Sequence, residues 1–593
     1  MKKQIRIPLI LLLSAISVYL VYDMSRRYEV MMLWGYRPAI LFLATWGAIM
    51  LAVAPWYSRY EEKWRWLGLS TLSGILLSIG FPGVLFAFPF LMFVGFLPLL
   101  LVEKEISEKR EGPSKAEVLK YAYHAFIVWN IITTYWVANT ALVAGIFAIT
   151  VNAALMCIPF VLFHQTKKVT PGLGYVSFIV YWIAFEYAHL NWELTWPWLT
   201  LGNSFAEFPS LVQWYEYTGV FGGSLWILLM NVLGLRIWTK YQQKASLRSD
   251  LVRVAVLLTA PLAISFAIYI NYEQTEETAE VLVVQPNFEP HFEKFEIPES
   301  EQVTRYLQLT EEKITDSTDY VVYPETSFGY VRTDQVHNYP AIERVEDFLR
   351  AYPGTKLITG LNAYRLLRDG EPVTPAARTR VGARGDTTYL EVLNAAAQII
   401  PGETEVQWYR KSKLVPGAEI FPYRNLLWFF GPVVQTLQGT WEGVGTQPER
   451  SVFKSPQANI GPVICYESIF GEYFTGYVKK GANAIFIMTN DGWWDNTAGH
   501  RQHLYFASLR AIETRRSIAR SANTGISAFI NQRGDIRQAT RYEEAAAIRD
   551  DLRLNNAITV YVRWGDVLAR IALFASILLL LNTIVRKVTG RSS

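Results

Sequence analysis

Cysteine is almost missing from this chain: 593 residues contain Cys157 and Cys465 and no other thiol. One lies in an apolar run and the other in a more polar region, so no disulfide framework can be built. Charge is scarce too, at 18%, where an ordinary soluble protein carries about 25%. No surplus of one sign compensates, because 56 basic residues face 52 acidic ones, whereas nucleic-acid-binding domains concentrate basic charge on one face. The chain holds no G-x-G-x-x-G run and no P-loop, which leaves a nucleotide fold without support. Internal repeats and low-complexity tracts are absent.

What the chain has in excess is apolar surface, with 51% hydrophobic and 14% aromatic residues. The excess is concentrated before about residue 272 and again after about residue 564, so the sequence reads as a membrane protein holding a water-soluble insert. A hydrocarbon core of about 30 Å requires roughly 20 apolar residues per helix. Ten stretches qualify approximately: Ile5 to Tyr22, Pro38 to Trp56, Trp66 to Ile79, Val84 to Val102, Tyr121 to Val137, Leu142 to Phe163, Tyr175 to His189, Gly219 to Trp238, Val252 to Ile270 and Val567 to Val585. The first lacks a small-x-small cleavage site and a second apolar run soon follows, so it reads as a helix and not as a signal peptide.

Basic residues near helix ends are retained in the cytoplasm. One set of alternate loops carries Lys2 and Lys3, then Arg59, Lys63 and Arg65, then Lys104, Lys109, Arg110, Lys115 and Lys120, then Lys167 and Lys168, then Lys240, Lys244 and Arg248, and finally Arg586, Lys587 and Arg591. The opposite set is nearly free of basic charge apart from Arg26, Arg27 and Arg37. The balance puts both termini inside and the segment from about Tyr272 to Arg563 outside. This predicts a membrane domain over 1–271, an extracytoplasmic domain over 272–563, and a closing helix with a basic tail over 564–593. The aromatic stretch from Trp192 to Ser204 reads either as an interfacial anchor or as the re-entrant rim of a lipid pocket. Glu186, inside an apolar run, marks either a helix contact or a functional site.

The insert reads as α/β. Short β-branched runs at Val281–Val284, Tyr320–Tyr323, Lys356–Thr359, Ile460–Ile464, Ala484–Ile487 and Ile526–Ile530 suit strands covered by helices. Helix-length segments lie at Glu299 to Ile314, Ala341 to Ala351 and His500 to Arg520. Polar residues stand where such strands end: Glu325 after Val321-Val-Tyr-Pro, Lys411 after Trp408-Tyr-Arg, and Cys465 after Val463-Ile. Sites in α/β proteins are commonly built at strand ends. A cysteine nucleophile needs a base, and a cation can depress its pKa and hold an oxyanion. By spacing alone the signal is weak, because a buried cysteine after a strand is usually core packing. His500 and His503 could share a helix face, yet no nearby cysteine completes a zinc set.

Tyr-Pro-Glu325, Tyr-Arg-Lys411 and Ile-Cys465-Tyr-Glu467, in that order, resemble the Glu-Lys-Cys motifs of the nitrilase (carbon-nitrogen hydrolase) superfamily. Joined to a multi-spanning N-terminal region and one closing helix, they are similar to the apolipoprotein N-acyltransferase family over roughly residues 66 to 586. Other matching segments are Gln285-Pro-Asn287, Asn394, Lys411 to Glu419, Thr489 to Trp494, Gln502-His503, Asn523-Thr-Gly525 and Trp196-Pro-Trp198. The resemblance implies a nitrilase-like α-β-β-α sandwich attached to a multi-spanning helical membrane domain, in the bacterial inner membrane with the sandwich periplasmic. It implies Cys465 as nucleophile and acyl carrier, Glu325 as general base and acid, and Lys411 as the oxyanion-holding cation. Glu419 corresponds to a further glutamate near the triad, and Tyr466, Glu467 and Asn394 are expected beside it. Phe295 stands where the family has a tryptophan, and with Trp494, Trp196 and Trp198 it is a candidate for substrate contact. Val415-Pro-Gly-Ala-Glu419 departs from the family's Val-Pro-Phe-Gly-Glu.

The implied reaction is ping-pong. A fatty acyl chain passes from a membrane phospholipid to Cys465 as a thioester, then to the α-amine of the diacylglyceryl-cysteine of an apolipoprotein, without metal or other cofactor and without nucleic acid. An apolar lid is expected to keep water from the thioester, with Leu426 to Phe430 and Trp493-Trp494 as candidates. The rival expectations are a membrane-tethered amidase or acyltransferase acting on another amine, and a transporter with a non-catalytic outer domain. The transporter would need paired broken helices and repeats.

Overall fold

The structure, a computed structural model, describes residues 3–84, 86–109, 114–381, 387–430 and 441–590. Lys2, Arg110 and Arg591 of the basic loops, and Leu85 of the fourth apolar stretch, lie outside the described residues.

Helices form at all ten apolar stretches. Six are long and apolar enough to cross a membrane: Lys3–Glu29, Arg37–Tyr57, Leu142–Val169, Val220–Gln242, Arg248–Asn271 and Val567–Val588. The other four fall short for visible reasons. Lys63–Ile79 is brief, and Leu97–Glu108 follows a run broken at Pro89, Gly95 and Pro98. Ser114–Thr134 carries Lys115, Glu117, Lys120, His124 and Asn130, and Gly174–Asn191 carries Glu186 and His189. Their polar side chains are matched within the bundle. Asn152 Nδ2 donates to Asn130 Oδ1 at 2.7 Å, and His189 Nε2 lies 2.8 Å from Asn152 Oδ1.

Successive helices run in alternate directions between two ends of the bundle, and one end carries the α/β half. At that end Gly35 N–H donates to Asp495, Gln502 to the Thr133 carbonyl, Val220 N–H to Glu513, and Tyr269 to Asp535. Among the described residues, the basic set from Arg59 to Lys587 lies in the loops that make none of these contacts, and pairs with carboxylates there, as Lys167 does with Glu103 and Lys240 with Asp250. The exception read from the sequence is neutralised in place: Arg26 pairs with Glu29, and Arg27 and Arg37 both pair with Asp23.

The Trp192–Thr218 stretch is tucked into the bundle through three short 3-10 turns, Pro197–Leu199, Leu201–Phe205 and Pro209–Leu211. Trp198 is 3% exposed, which excludes a simple lipid-facing anchor and fits a packed rim. Glu186 fastens it, since its Oε1 accepts from Trp182 Nε1 at 3.1 Å and from Leu201 N–H at 2.8 Å. Gly202 is required because a Cβ there would lie 1.9 Å from the Val220 carbonyl oxygen.

The α/β half contains strands β1 (Thr278–Gln285), β2 (Tyr320–Arg332), β3 (Lys356–Leu366), β4 (Ala377–Val381), β5 (Thr387–Ile399), β6 (Gln407–Arg410), β7 (Phe453–Lys454), β8 (Asn459–Ile464), β9 (Ala484–Thr489), β10 (Ile518–Ala522), β11 (Ala528–Ile530), β12 (Ile536–Arg537) and β13 (Ala546–Arg553). One mixed sheet has the order β13-β1-β2-β3-β5-β4 with β6 paired to β5, and the other has β12-β11-β10-β9-β8-β7. Strand periodicity of two sorts side chains between layers. Val281, Val283, Tyr320 and Val322 face the second sheet, while Leu282, Val284, Val321 and Tyr323 pack under the Glu299–Glu311 and Pro340–Leu349 helices. Helices Gly471–Lys479 and Ala498–Thr514 cover the second sheet, completing the α-β-β-α sandwich. The helix expected to reach Arg520 ends at Thr514 because Arg515 adopts a left-handed φ of 50°, and the chain returns as β10. The strand expected over Ile526–Ile530 is shorter, Ala528–Ile530, and the Ala395–Ala397 run in β5 carried no β-branched signal.

Candidate active site

Glu325, Lys411 and Cys465 arrive from three strands. Glu325 lies in β2 just beyond its parallel pairing with β3, where the register shifts between Tyr323 and Phe328. Gly360 on β3 permits this, because a Cβ would lie 2.7 Å from the Glu325 Cα. Lys411 follows β6, and its N–H is held by the Asn394 carbonyl of β5 at 2.9 Å. Cys465 follows β8 and has a left-handed φ of 47°, a conformation costly for a non-glycine residue.

Lys411 Nζ, 1% exposed as a residue, donates to Glu325 Oε1 at 2.9 Å and to Glu419 Oε1 at 2.8 Å. Asn394 Nδ2 donates to the same two oxygens at 2.8 and 2.9 Å. Burial opposes a charge on Lys411, but Glu325 and Glu419 outweigh it and hold the ammonium well above its ordinary pKa. Cys465 responds in the other direction: burial first, then the Glu325 charge, push its thiol well up, against opposing contributions from Lys411 and a Thr489 hydrogen bond. The resting site is therefore a neutral thiol beside a persistent cation and a carboxylate.

Glu419 is aimed by its own loop, with Oε2 accepting the Val415 N–H at 2.8 Å. Gly417, at φ 86°, turns that loop, which accounts for glycine inside Val415-Pro-Gly-Ala-Glu419. Glu467 does not face the triad. Its carboxylate accepts from the Tyr409, Tyr473 and Tyr477 hydroxyls and from the Ser412 and Ile464 N–H groups at 2.6–3.1 Å. It thereby ties the backbone before Cys465 to the backbone after Lys411. Burial raises its pKa against those hydrogen bonds.

Tyr466 turns toward the helical half and donates to the Thr195 carbonyl at 3.1 Å. Trp198 packs tilted against it with ring centroids 6.3 Å apart, and Trp136 packs edge-on to Trp198 at 4.6 Å and tilted to Trp494 at 4.9 Å. Trp196 is half-buried beside Glu186 and His189. Phe295 is 67% exposed, and Leu426 and Trp428 also stand out in solvent.

Two groups escaped the sequence reading. Lys294, beside Phe295, is buried, donates to Thr326 Oγ1 at 2.7 Å and reaches the Glu325 carbonyl at 3.4 Å. Burial lowers its pKa to about 8 despite Glu325 nearby. Asp491, His503 and Arg520 form a fully buried ionic cluster below Cys465. Ligand-type atoms of Cys465, Asp491 and His503 lie within 4.8 Å of one another, but the cation Asp491 already holds is the Arg520 guanidinium, at 2.5 Å. An Asp two residues past β9 and a His on the buried face of the Ala498–Thr514 helix were the available signals.

Residues 295–556 match the family model for carbon-nitrogen hydrolase, and residues 73–233 match that for the apolipoprotein N-acyltransferase N-terminal domain. With the two-sheet sandwich, the first match defines the outer half as a carbon-nitrogen hydrolase domain. The apolipoprotein N-acyltransferase of Chlorobaculum tepidum is 30% identical over 538 residues, spanning 88% of this chain and 96% of that protein. That of Geobacter metallireducens is 26% identical, spanning 84% and 92%. A solved amidase from Nesterenkonia sp. overlays with 16% identity and a TM-score of 0.31, covering 48% of this chain and 93% of that one. The chain belongs to the apolipoprotein N-acyltransferase family, and it is a multi-pass bacterial membrane protein.

Proposed function

We propose that this protein N-acylates lipoproteins through a Glu325-Lys411-Cys465 triad by a ping-pong route. The observation that carries this reading is the Lys411 ammonium, buried between two carboxylates beside a neutral thiol whose neighbour, Tyr466, touches the membrane rim. Membrane-embedded substrates call for such a junction, since both acyl donor and acceptor are held in the bilayer.

In the first half-reaction Glu325 takes the thiol proton as sulfur attacks an ester carbonyl of a phospholipid. The oxyanion collects charge facing Lys411, which its two carboxylates keep protonated against the cost of burial. Collapse expels the lysophospholipid alkoxide, which takes the proton back from Glu325 and leaves a thioester on Cys465. In the second half-reaction the free α-amine of a diacylglyceryl-cysteine attacks the thioester, Glu325 accepts an amine proton, and the thiol is restored as the amide forms. Glu419 and Asn394 orient Lys411 and Glu325, and Glu467 fixes the two turns. Trp196, Trp198, Trp494 and Phe295 are assigned to substrate contact, and the exposed segment around Leu426 and Trp428 to an apolar lid.

The proposal includes the division at 1–271, 272–563 and 564–593, the inner membrane as location, and a periplasmic catalytic half. Its support is the collection of basic side chains at the bundle end remote from the sandwich. The test is the intact mass of the purified protein incubated with phospholipid. One hydroxylamine-sensitive acyl mass is expected in the wild type and none in Cys465→Ala. A wild type that gains no acyl mass, or a Cys465→Ala protein that still N-acylates a diacylglyceryl peptide, ends the proposal.

A further inference from the structure

The left-handed backbone at Cys465 points its carbonyl away from the next strand residue and down into the second sheet's helical cover. Two side chains wait there. Ser468 Oγ donates to the Cys465 carbonyl at 2.7 Å, and His503 Nε2 approaches the same oxygen at 3.1 Å and Ser468 Oγ at 2.9 Å. The imidazole cannot swing away. Its Nδ1 lies 2.9 Å from Asp491 Oδ1 and 3.1 Å from an Arg520 nitrogen, and Asp491 is itself fixed by Arg520 and by the Thr489 hydroxyl at 2.7 Å. The side chains of Asp491, His503 and Arg520 are all fully buried. Trp494 and Trp198 of the rim close over the imidazole with ring centroids at 5.5 and 6.1 Å.

A carbonyl and a hydroxyl oxygen both face Nε2, so that nitrogen carries a proton and donates. Such an assembly is expensive to bury; Arg520 anchors it to the Ile526 carbonyl and the Thr489 hydroxyl holds Asp491, and on its other side His503 meets the nucleophile's backbone and Ser468. The hydrogen bonds of the imidazole go to the Cys465 carbonyl, Ser468, Asp491 and Arg520, and it lies within 4.8 Å of the thiol it backs. We infer that His503, clasped between Asp491 and Arg520, is a positioning residue that holds Cys465 in its strained left-handed conformation and thereby sets the reactivity of the thiol. This rests on Cys465 being the nucleophile, as proposed above.

The experiment uses the full chain in phosphatidylethanolamine nanodiscs. The alkylation rate of Cys465 by iodoacetamide is followed by peptide mass, with Cys157 as internal control, and acyl-enzyme formation is followed alongside. His503→Ala lowers the alkylation rate and the acylation kcat by about tenfold or more with KM for phospholipid within about twofold, as expected for a group acting only through the nucleophile. His503→Gln restores an amide N–H toward the carbonyl and recovers the rate to within about threefold of wild type. A His503→Ala rate within about twofold of wild type overturns the inference, and so does a Gln variant as slow as Ala. Should His503→Ala fail to fold, Ser468→Ala decides: slower alkylation supports the hold on the carbonyl, and an unchanged rate overturns it. A wild type whose Cys465 accepts no acyl group sinks the proposed function instead, and is read separately from the variants.

Discussion

In the helical half, Glu186 at the rim is held by Trp182 and a backbone N–H, whereas two buried carboxylates at the end remote from the sandwich gather basic partners around them. Glu103 pairs with His164 at 2.6 Å and with Lys167, and Asp250 is ringed by Arg236, Lys240 and Arg253. In the α/β half, buried ions occupy the centre, where Lys411 joins Glu325 and Glu419, and Arg520 joins Asp491. A buried ion pair is seldom a net gain in stability over apolar packing. At a helix end near water the cost is modest, whereas in the middle of a sandwich it is larger, and the proposed chemistry gives the reason for carrying it. On that proposal, ions at the remote end serve the fold and those at the centre serve the site.

Four changes break or sharpen that comparison. Lys411→Met leaves Glu325 and Glu419 facing each other without a cation, and removes the charge assigned to the oxyanion. Acyl-enzyme formation should fall by at least about a hundredfold, measured as the single-turnover rate by intact mass; a rate within tenfold of wild type would remove Lys411 from its role. Glu467→Ala deprives three tyrosine hydroxyls and three N–H groups, those of Ser412, Lys413 and Ile464, of this acceptor. The expected cost is about 3 kcal/mol or more, read as a lower unfolding temperature of the outer half. Glu103→Gln at the remote end should cost about 1 kcal/mol while leaving turnover within twofold; a large loss of turnover would contradict the division drawn here.

The smallest effect concerns pH. Lys294 has its pKa lowered by burial to about 8 from an ordinary 10.5, so between those values the unfolded chain binds more protons than the folded one. Its contribution to stability must therefore rise as pH climbs through about 8 towards 10.5. Lys294→Met should lack that rise, as measured by denaturation midpoints at pH 7 and pH 10. Equal pH slopes in the two proteins would show that Lys294 is not desolvated.

The sandwich was legible where β-branched runs end in polar residues: β1, β2, β3, β8 and β9 all lie on such runs, and Lys411 and Cys465 stand just beyond strand ends, whereas Glu325, expected after its strand, lies inside β2 at the register shift and the strand runs on to Arg332. β5 was not legible because Ala395 to Ala397 owe their extended state to pairing on both sides, with β3 and β6, which no local preference encodes. His503 was visible only as one of two histidines with helical spacing. Its partners Asp491 and Arg520 are 12 and 17 residues away, and only the parallel pairing of β9 with β10 brings them together. Of the three basic residues that stood out as the exception, Arg26 and Arg27 pair within their own helix with Glu29 and Asp23, a spacing visible in the sequence, whereas the Arg37–Asp23 pair depends on two helix ends meeting.

The two helices preceding residue 63 lie outside the stretch of chain that matches the acyltransferase N-terminal family model, which begins at residue 73. Both are long enough to span a bilayer, and they fold as a hairpin whose loop rests on Asp495. Parity gives this arrangement its significance. A pair of crossings returns the chain to the side from which it set out, so every later helix keeps its direction and the sandwich keeps its compartment. One extra crossing would have inverted the whole machine, and sequences at this end of the gene are therefore free to grow by two spans at a time.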